Sequence, residues 1–98
     1  MRNIKEGNNY YFVRKKDDTI VVYFGNLVHV TTEDKTVYSF YYSKFNDVAL
    51  GCVYKSDEIF ETLEQVLIYT HMRGFEVALS PSAVQEVSEN TKTREIFS

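Results

Sequence analysis

A chain of 98 residues, with 44% hydrophobic and 26% charged residues, is long enough for one globular domain and too short for two. Its net charge of −3 excludes a protein built as a whole to coat nucleic acid, and its composition excludes intrinsic disorder. Eight Tyr and seven Phe, with no Trp, favour strands and half-buried sheet faces.

The location of the protein is predicted from its cysteine content and its termini. A single cysteine, Cys52, excludes an intramolecular disulfide and is typical of a reducing compartment. Residues 1–6 lack the apolar run of a signal peptide, and no stretch approaches the ~20 apolar residues of a membrane span. We therefore expect a cytoplasmic protein that does not contact a membrane.

Five segments predict an antiparallel meander. Strand-forming residues are concentrated in residues 10–15, 19–24, 27–32, 36–42 and 48–54. The Gly25-Asn26 pair predicts a two-residue hairpin between the second and third strands, because Gly supplies a positive φ. The alternation of side chains predicts the faces that point toward the core, which are Ile20, Val22, Phe24, Val28, Val30, Tyr38, Phe40, Tyr42, Val48, Leu50 and Cys52. The opposite, more polar but still aromatic face carries Val21, Tyr23, His29, Ser39 and Tyr41.

One long amphipathic helix is predicted to follow the meander and to pack on the sheet. Ser56 is suited to the N-cap, and Gly74 to the position after the last turn. At 100° per residue one apolar arc would face the sheet, formed by Ile59, Phe60, Leu63, Val66, Leu67 and Thr70.

The last quarter of the chain predicts a strand and a second helix. Residues 75–79 alternate and predict a sixth strand, which a crossover connection could place parallel to a strand of the meander. Ser80-Pro81 predicts the start of a short C-terminal helix through about Glu89, with Ala83, Val84 and Val87 as its apolar stripe. The fold class is therefore α+β in a single domain, residues 1–98, with residues 1–9 and 90–98 as candidate flexible ends.

The leading functional hypothesis is a non-enzymatic protein-binding domain. Ile68 and Met72 lie opposite the predicted core arc, where apolar residues favour a partner surface unless the second helix or the Ile96-Phe97 tail covers them. A small, acidic, aromatic-rich domain is by analogy typical of inhibitors or adaptors of phage or mobile-element type that act on a host protein. The candidate partner-binding residues are Ile68, Met72, Phe75, Glu61, Glu64, Tyr23 and Tyr41.

Three alternatives remain at this stage. Arg14, Lys15 and Lys16 lie beside Tyr11, a pattern that could hold single-stranded nucleic acid by charge and stacking. A pocket between helix and sheet could bind a small ligand, and its lining would be Tyr38, Tyr42, Tyr54 and Tyr69. An edge strand, residues 10–15 or 27–32, could also pair across a two-fold axis to form a homodimer.

Enzymatic chemistry is not predicted. Cys52, His29 and His71 are the only thiol and imidazole side chains, and their spacing matches no metal or nucleophile motif. The four glycines are too widely separated for a phosphate-binding loop. We therefore expect no catalytic residue, no metal and no cofactor.

Overall fold

In a computed structural model, the described part of the chain comprises residues 3–44 and 47–97, with side chains described as far as Glu89. Six strands and two α-helices lie within this part: β1 (Asn9–Lys16), β2 (Thr19–Thr31), β3 (Val37–Lys44), β4 (Asp47–Val53), β5 (Ile59–Phe60), α1 (Leu63–Arg73), β6 (Glu76–Leu79) and α2 (Pro81–Phe97). A 3₁₀ turn, Ser56–Glu58, precedes β5. The predicted α+β class is confirmed as a mixed, sheet-rich fold.

The strands form one sheet in the order β4-β3-β2-β1-β5, in which neighbours are antiparallel. β1 pairs with residues 19–26 of the long strand β2. The other edge of β2 is shared, because β6 pairs with residues 19–22 and β3 pairs with residues 25–31. The sixth strand is parallel to β2, in agreement with the prediction of a parallel neighbour in the meander.

The sheet curls until its two ends approach each other. Only five residues, 54–58, connect β4 at one end of the strand order to β5 at the other, and such a segment spans at most about 20 Å. Arg14 Nη2 in β1 donates to the Cys52 carbonyl oxygen in β4 at 3.0 Å. The result is a partly closed barrel with a seam between β1 and β4.

Both faces of the sheet are buried. The barrel core fills the interior and contains Tyr10, Phe12, Leu27, Phe40, Val53 and Ile59. The helix core lies on the outer face beneath the helices and contains Tyr11, Val13, Ile20, Val22, Phe60, Val66 and Ala83. Phe12 stacks on Phe40, with 4.4 Å between ring centroids. Residues 10–13 are therefore all buried, because alternate side chains enter the barrel core and the helix core. An alternation of apolar and polar residues, which would mark one buried face, is absent from this segment.

The predicted hairpin at Gly25-Asn26 is wrong, because β2 continues through both residues. Gly25 pairs with Tyr42 of β3, and a Cβ atom at Gly25 would overlap the carbonyl oxygen of Tyr41. The glycine therefore permits a close approach of two backbones rather than a turn. The register then shifts between Leu27 and His29, which marks a bulge.

The predicted inward face of β4 is also wrong. Val48 and Leu50 are 62% and 58% exposed, whereas Gly51 and Val53 are buried on the interior side. A Cβ atom at Gly51 would lie 3.3 Å from the Phe12 ring, so the glycine leaves room for that ring inside the barrel.

Helix α1 begins seven residues after the predicted N-cap, Ser56, because Ile59 and Phe60 pair with β1 instead. Thr62 is the N-cap, and its side chain accepts from the Gln65 N–H at 3.3 Å. The predicted end is confirmed: Gly74 follows Arg73 in the left-handed region, at a φ of 72°. Of the predicted arc, Val66 and Thr70 are buried and Leu67 is exposed.

Helix α2 is anchored at the edge of β2. The Ser80 N–H donates to the Val22 carbonyl oxygen at 2.9 Å, and the Phe24 N–H donates to Ser82 Oγ at 3.0 Å. The helix starts at Pro81 as expected and continues to Phe97, well past the predicted end at Glu89. Ala83 of the predicted stripe is buried, whereas Val84 is exposed. Neither helix, over the residues described, combines the length and hydrophobicity that crossing a bilayer requires.

Candidate functional site

An open groove of about 400 Å³ runs along α1, and we call it the α1 groove. Its lining residues are Phe60, Glu61, Gln65, Ile68, Tyr69, Met72 and Arg73. The Tyr69 ring packs edge-on against Phe60, with 5.2 Å between centroids and 62° between planes. This aromatic pair connects the groove to the helix core, since Phe60 belongs to that core.

The orientation of α1 brings two large apolar side chains to the surface. Val66 and Thr70 face the helix core, and the Thr70 hydroxyl donates to the Leu67 carbonyl oxygen at 3.0 Å. Ile68 and Met72, four residues apart, therefore lie on the same outward side of the helix. They are 61% and 76% exposed. A continuous apolar ridge results beside the aromatic pair.

The two ends of the groove carry opposite charges. Glu61 precedes α1, and its backbone N–H donates to Gln65 Oε1 at 3.0 Å. Arg73 ends α1, and its guanidinium carbon lies 3.9 Å from the centroid of the Tyr69 ring. The 11 residues of α1 extend about 15 Å, so a bound segment would meet a negative end, an apolar centre and a positive end.

The structure separates the other predicted partner-binding residues from the groove. Phe75 is half-buried against the helix core, with Lys15 Nζ 4.7 Å from its ring centroid. Glu64 is exposed on the first turn of α1, outside the groove lining. Tyr41 is exposed on β3, and Tyr23 is half-buried, with its ring stacked on Phe12 at 5.2 Å beside the barrel core.

The basic and aromatic residues of the first hairpin do not form one surface. Tyr11 is only 5% exposed within the helix core, so its ring is not available to stack on a base. Arg14 bonds to the Cys52 carbonyl oxygen, while Lys15 lies over Phe75 on the other face of the sheet. Lys16 is exposed at the end of β1. This arrangement gives no support to the nucleic-acid alternative.

The four tyrosines predicted to line a ligand pocket are also dispersed. Tyr38 and Tyr42 pack against the barrel core, whereas Tyr69 packs against the helix core on the other side of the sheet. Tyr54 is exposed, and Lys35 Nζ lies 5.0 Å from its ring centroid. These residues therefore do not share a cavity between helix and sheet.

The thiol and imidazole side chains lie in three different places. Cys52 Sγ is 3.8 Å from Ser39 Oγ on the outer face of the barrel, and His29 Nδ1 is 3.8 Å from Glu6 Oε1. His71 is exposed on α1. Among residues 3–44 and 47–89, no three His, Cys, Asp or Glu side chains are grouped so that they could hold a metal ion.

A second groove, of about 320 Å³, follows the seam between β1 and β4. Its charged lining residues are Arg14, Lys15 and Glu58. Burial raises the pKa of Glu58 and the nearby Asp57 raises it further, while Lys55 and Arg14 oppose the shift.

Sequence reasoning missed this seam, because the seam depends on the curl of the sheet. It also missed the exposed face of β4, although a glycine inside a strand, here Gly51, is a signal that another group approaches closely on that side.

Comparison of the chain with protein-family models, with curated proteins and with solved structures finds no match. The class of protein is therefore defined by the architecture: a small α+β domain, with a curled mixed sheet and a surface groove along its first helix.

Proposed function

We propose that this chain is a non-enzymatic protein-binding domain, acting as an inhibitor or adaptor, and that the α1 groove holds its partner. The observation that carries the proposal is the exposure of Ile68 and Met72 beside the Phe60–Tyr69 pair. Contiguous exposed apolar and aromatic side chains with charged groups at the rim are typical of protein interfaces.

The occupant that we propose is an amphipathic helix of another protein, lying antiparallel to α1. Helix α1, which forms one wall of the groove, is about 15 Å long, and this length corresponds to nearly three turns of a bound helix. An antiparallel helix would place its acidic first turn near Arg73 and its basic last turn near Glu61, as the dipoles of both helices favour. Its apolar side chains would contact the ridge of Ile68 and Met72.

The apolar ridge is large enough to dominate the affinity. Complete burial of one large apolar side chain contributes about 1.5–3 kcal/mol. Since Ile68 and Met72 are more than half exposed, covering both would contribute about 2–4 kcal/mol, or about 30- to 1000-fold in Kd. Arg73 would contribute less, because a charge at the rim is screened by solvent.

The experiment is an affinity capture from nuclease-treated lysate of the native host with three tagged baits. They are the natural chain, the Ile68→Lys/Met72→Lys variant, and a Val48→Lys/Leu50→Lys control that places the same charges on an equally exposed apolar pair elsewhere. We expect a protein that the natural chain and the control retain through a high-salt wash and the first variant loses.

Purified components then test the chemistry of the partner. Calorimetric titration should show that Ile68→Lys/Met72→Lys weakens binding by about 30-fold or more and that Arg73→Glu weakens it less. Equal capture by all three baits would show that the α1 groove is not the binding surface.

A further inference from the structure

The outward face of α1 combines the apolar ridge with charges of both signs. Ile68 is the centre of this face, because at about 100° per residue it lies opposite the buried residues Val66 and Thr70. The exposed helical residues nearest to it around the axis are Glu64, Gln65, His71 and Met72. Glu61 precedes the helix and Arg73 ends it, so the face is acidic at its start, apolar at its centre and basic at its end.

We propose that, in the absence of another partner, α1 of a second copy of this chain covers this face, antiparallel about a two-fold axis at Ile68. Ile68 then packs on Ile68 of the second copy, and the two Met72 side chains flank this contact. Val66 and Thr70 point away from the axis toward their own sheet, so the pair of helices separates the two domains.

The charges on the two copies agree with one register. With the axis at Ile68, His71 of the second copy lies one residue, or about 1.5 Å along the helix, from the level of Glu64. Arg73 of the second copy lies two residues, or about 3 Å, from the level of Glu61. Both contacts between opposite charges therefore occur in the same arrangement, and symmetry produces each of them twice.

A second copy also has the chemistry that this groove favours in an occupant. A helix antiparallel to α1 is favoured by an acidic first turn and a basic last turn, and α1 itself has Glu64 in its first turn and His71 and Arg73 in its last turn. A parallel arrangement would bring like charges together at both ends. Self-association then competes with the proposed partner for Ile68 and Met72. This competition rests on the proposed function, whereas the self-association does not.

The first test is sedimentation equilibrium of the purified full chain from micromolar to about millimolar concentration. Two helices of 11 residues form a small interface, so we expect a weak monomer–dimer equilibrium. Ile68→Lys should abolish the dimer, because it places two like charges on the axis, and should leave the circular dichroism spectrum unchanged. Leu50→Lys, the matched control, charges an apolar residue of similar exposure on β4 and should leave the dimer intact. A natural chain that is monomeric throughout, a dimer that survives Ile68→Lys, or equal loss with both variants would overturn the proposal.

Charge reversal tests the register. Arg73→Glu alone opposes Glu to Glu61 of the second copy, and Glu61→Arg alone opposes Arg to Arg73, so each variant should weaken the dimer by about tenfold or more. A mixture of the two variants restores both opposite-charge pairs and should form a heterodimer. If the mixture associates no more tightly than either variant alone, the antiparallel register is excluded.

A disulfide-linked dimer tests the competition. Packed helices lie about 8–10 Å apart, which brings two facing Cα atoms within disulfide range. Cys52→Ser/Ile68→Cys should therefore form an intermolecular disulfide with oxidised glutathione as the oxidant. As bait in affinity capture from host lysate, the linked dimer should lose the protein that its reduced form retains, and equal capture by both forms would show that the second copy does not cover the groove. Absence of capture by either form would count against the proposed function alone, since sedimentation decides the self-association.

Discussion

Gly25→Ala tests the close approach of β2 and β3 directly. A Cβ atom at this position would overlap the Tyr41 carbonyl oxygen and would lie 3.1 Å from both the Tyr41 carbonyl carbon and Tyr42 Cβ. These atoms belong to, or are bonded to, the backbone of β3, so the clash is relieved only if the strands separate. We expect the loss of about two ladder hydrogen bonds at about 1 kcal/mol each and about 1 kcal/mol of packing around Phe40.

An opposing effect comes from the unfolded state, since alanine has less backbone conformational entropy there than glycine. This effect stabilises the folded chain by about 0.4–1 kcal/mol. Gly25→Ala should therefore lower the free energy of unfolding by about 2–3 kcal/mol, as measured by urea denaturation with circular dichroism. Gly51→Ala should lower the free energy of unfolding by a smaller amount. Its Cβ would lie 3.0 Å from the Tyr42 ring and 3.3 Å from the Phe12 ring, and rings can shift more easily than backbone. A cost below about 0.5 kcal/mol for Gly25→Ala would refute the continuous strand.

Three further predictions concern a cap, a turn and a half-buried carboxylate. Thr62→Ala should lower stability by about 1 kcal/mol in thermal unfolding and Thr62→Ser should not, whereas equal melting of both variants would contradict the N-cap. Asp17 has a φ of 56°, so Asp17→Gly should leave stability unchanged or raise it, and Asp17→Val should lower it by about 1–2 kcal/mol. The raised pKa of Glu58 means that the folded chain binds this proton more tightly than the unfolded chain, so stability falls as pH rises through that pKa. Glu58→Gln should remove this fall and stabilise the chain at neutral pH. Identical urea midpoints for the natural chain and the variant across about pH 4–7 would contradict the raised pKa.

Several parts of this fold could be predicted from local sequence. Runs of Tyr, Phe, Val and Ile locate the strands, because such side chains fit a pleated, half-buried surface. Gly74 locates the end of α1, since a left-handed residue suits glycine at low cost. Part of the candidate site was also predictable: α-helical periodicity places Ile68 and Met72 opposite Val66 and Thr70.

Tertiary structure decided the remaining features. A glycine at position 25 is compatible with either a turn or a close approach of two strands. The position of Tyr41 on the neighbouring strand β3 decides in favour of the close approach. Ile59 and Phe60 fit the first turn of a helix, yet they pair with the free edge of β1, where Ile59 enters the barrel core and Phe60 the helix core. The aromatic content, the strand segments and the end of α1 are properties of the sequence itself. Which face each strand buries depends on the curl of the sheet, because a curled sheet with helices outside buries both faces of β1 and removes the alternation that would distinguish them.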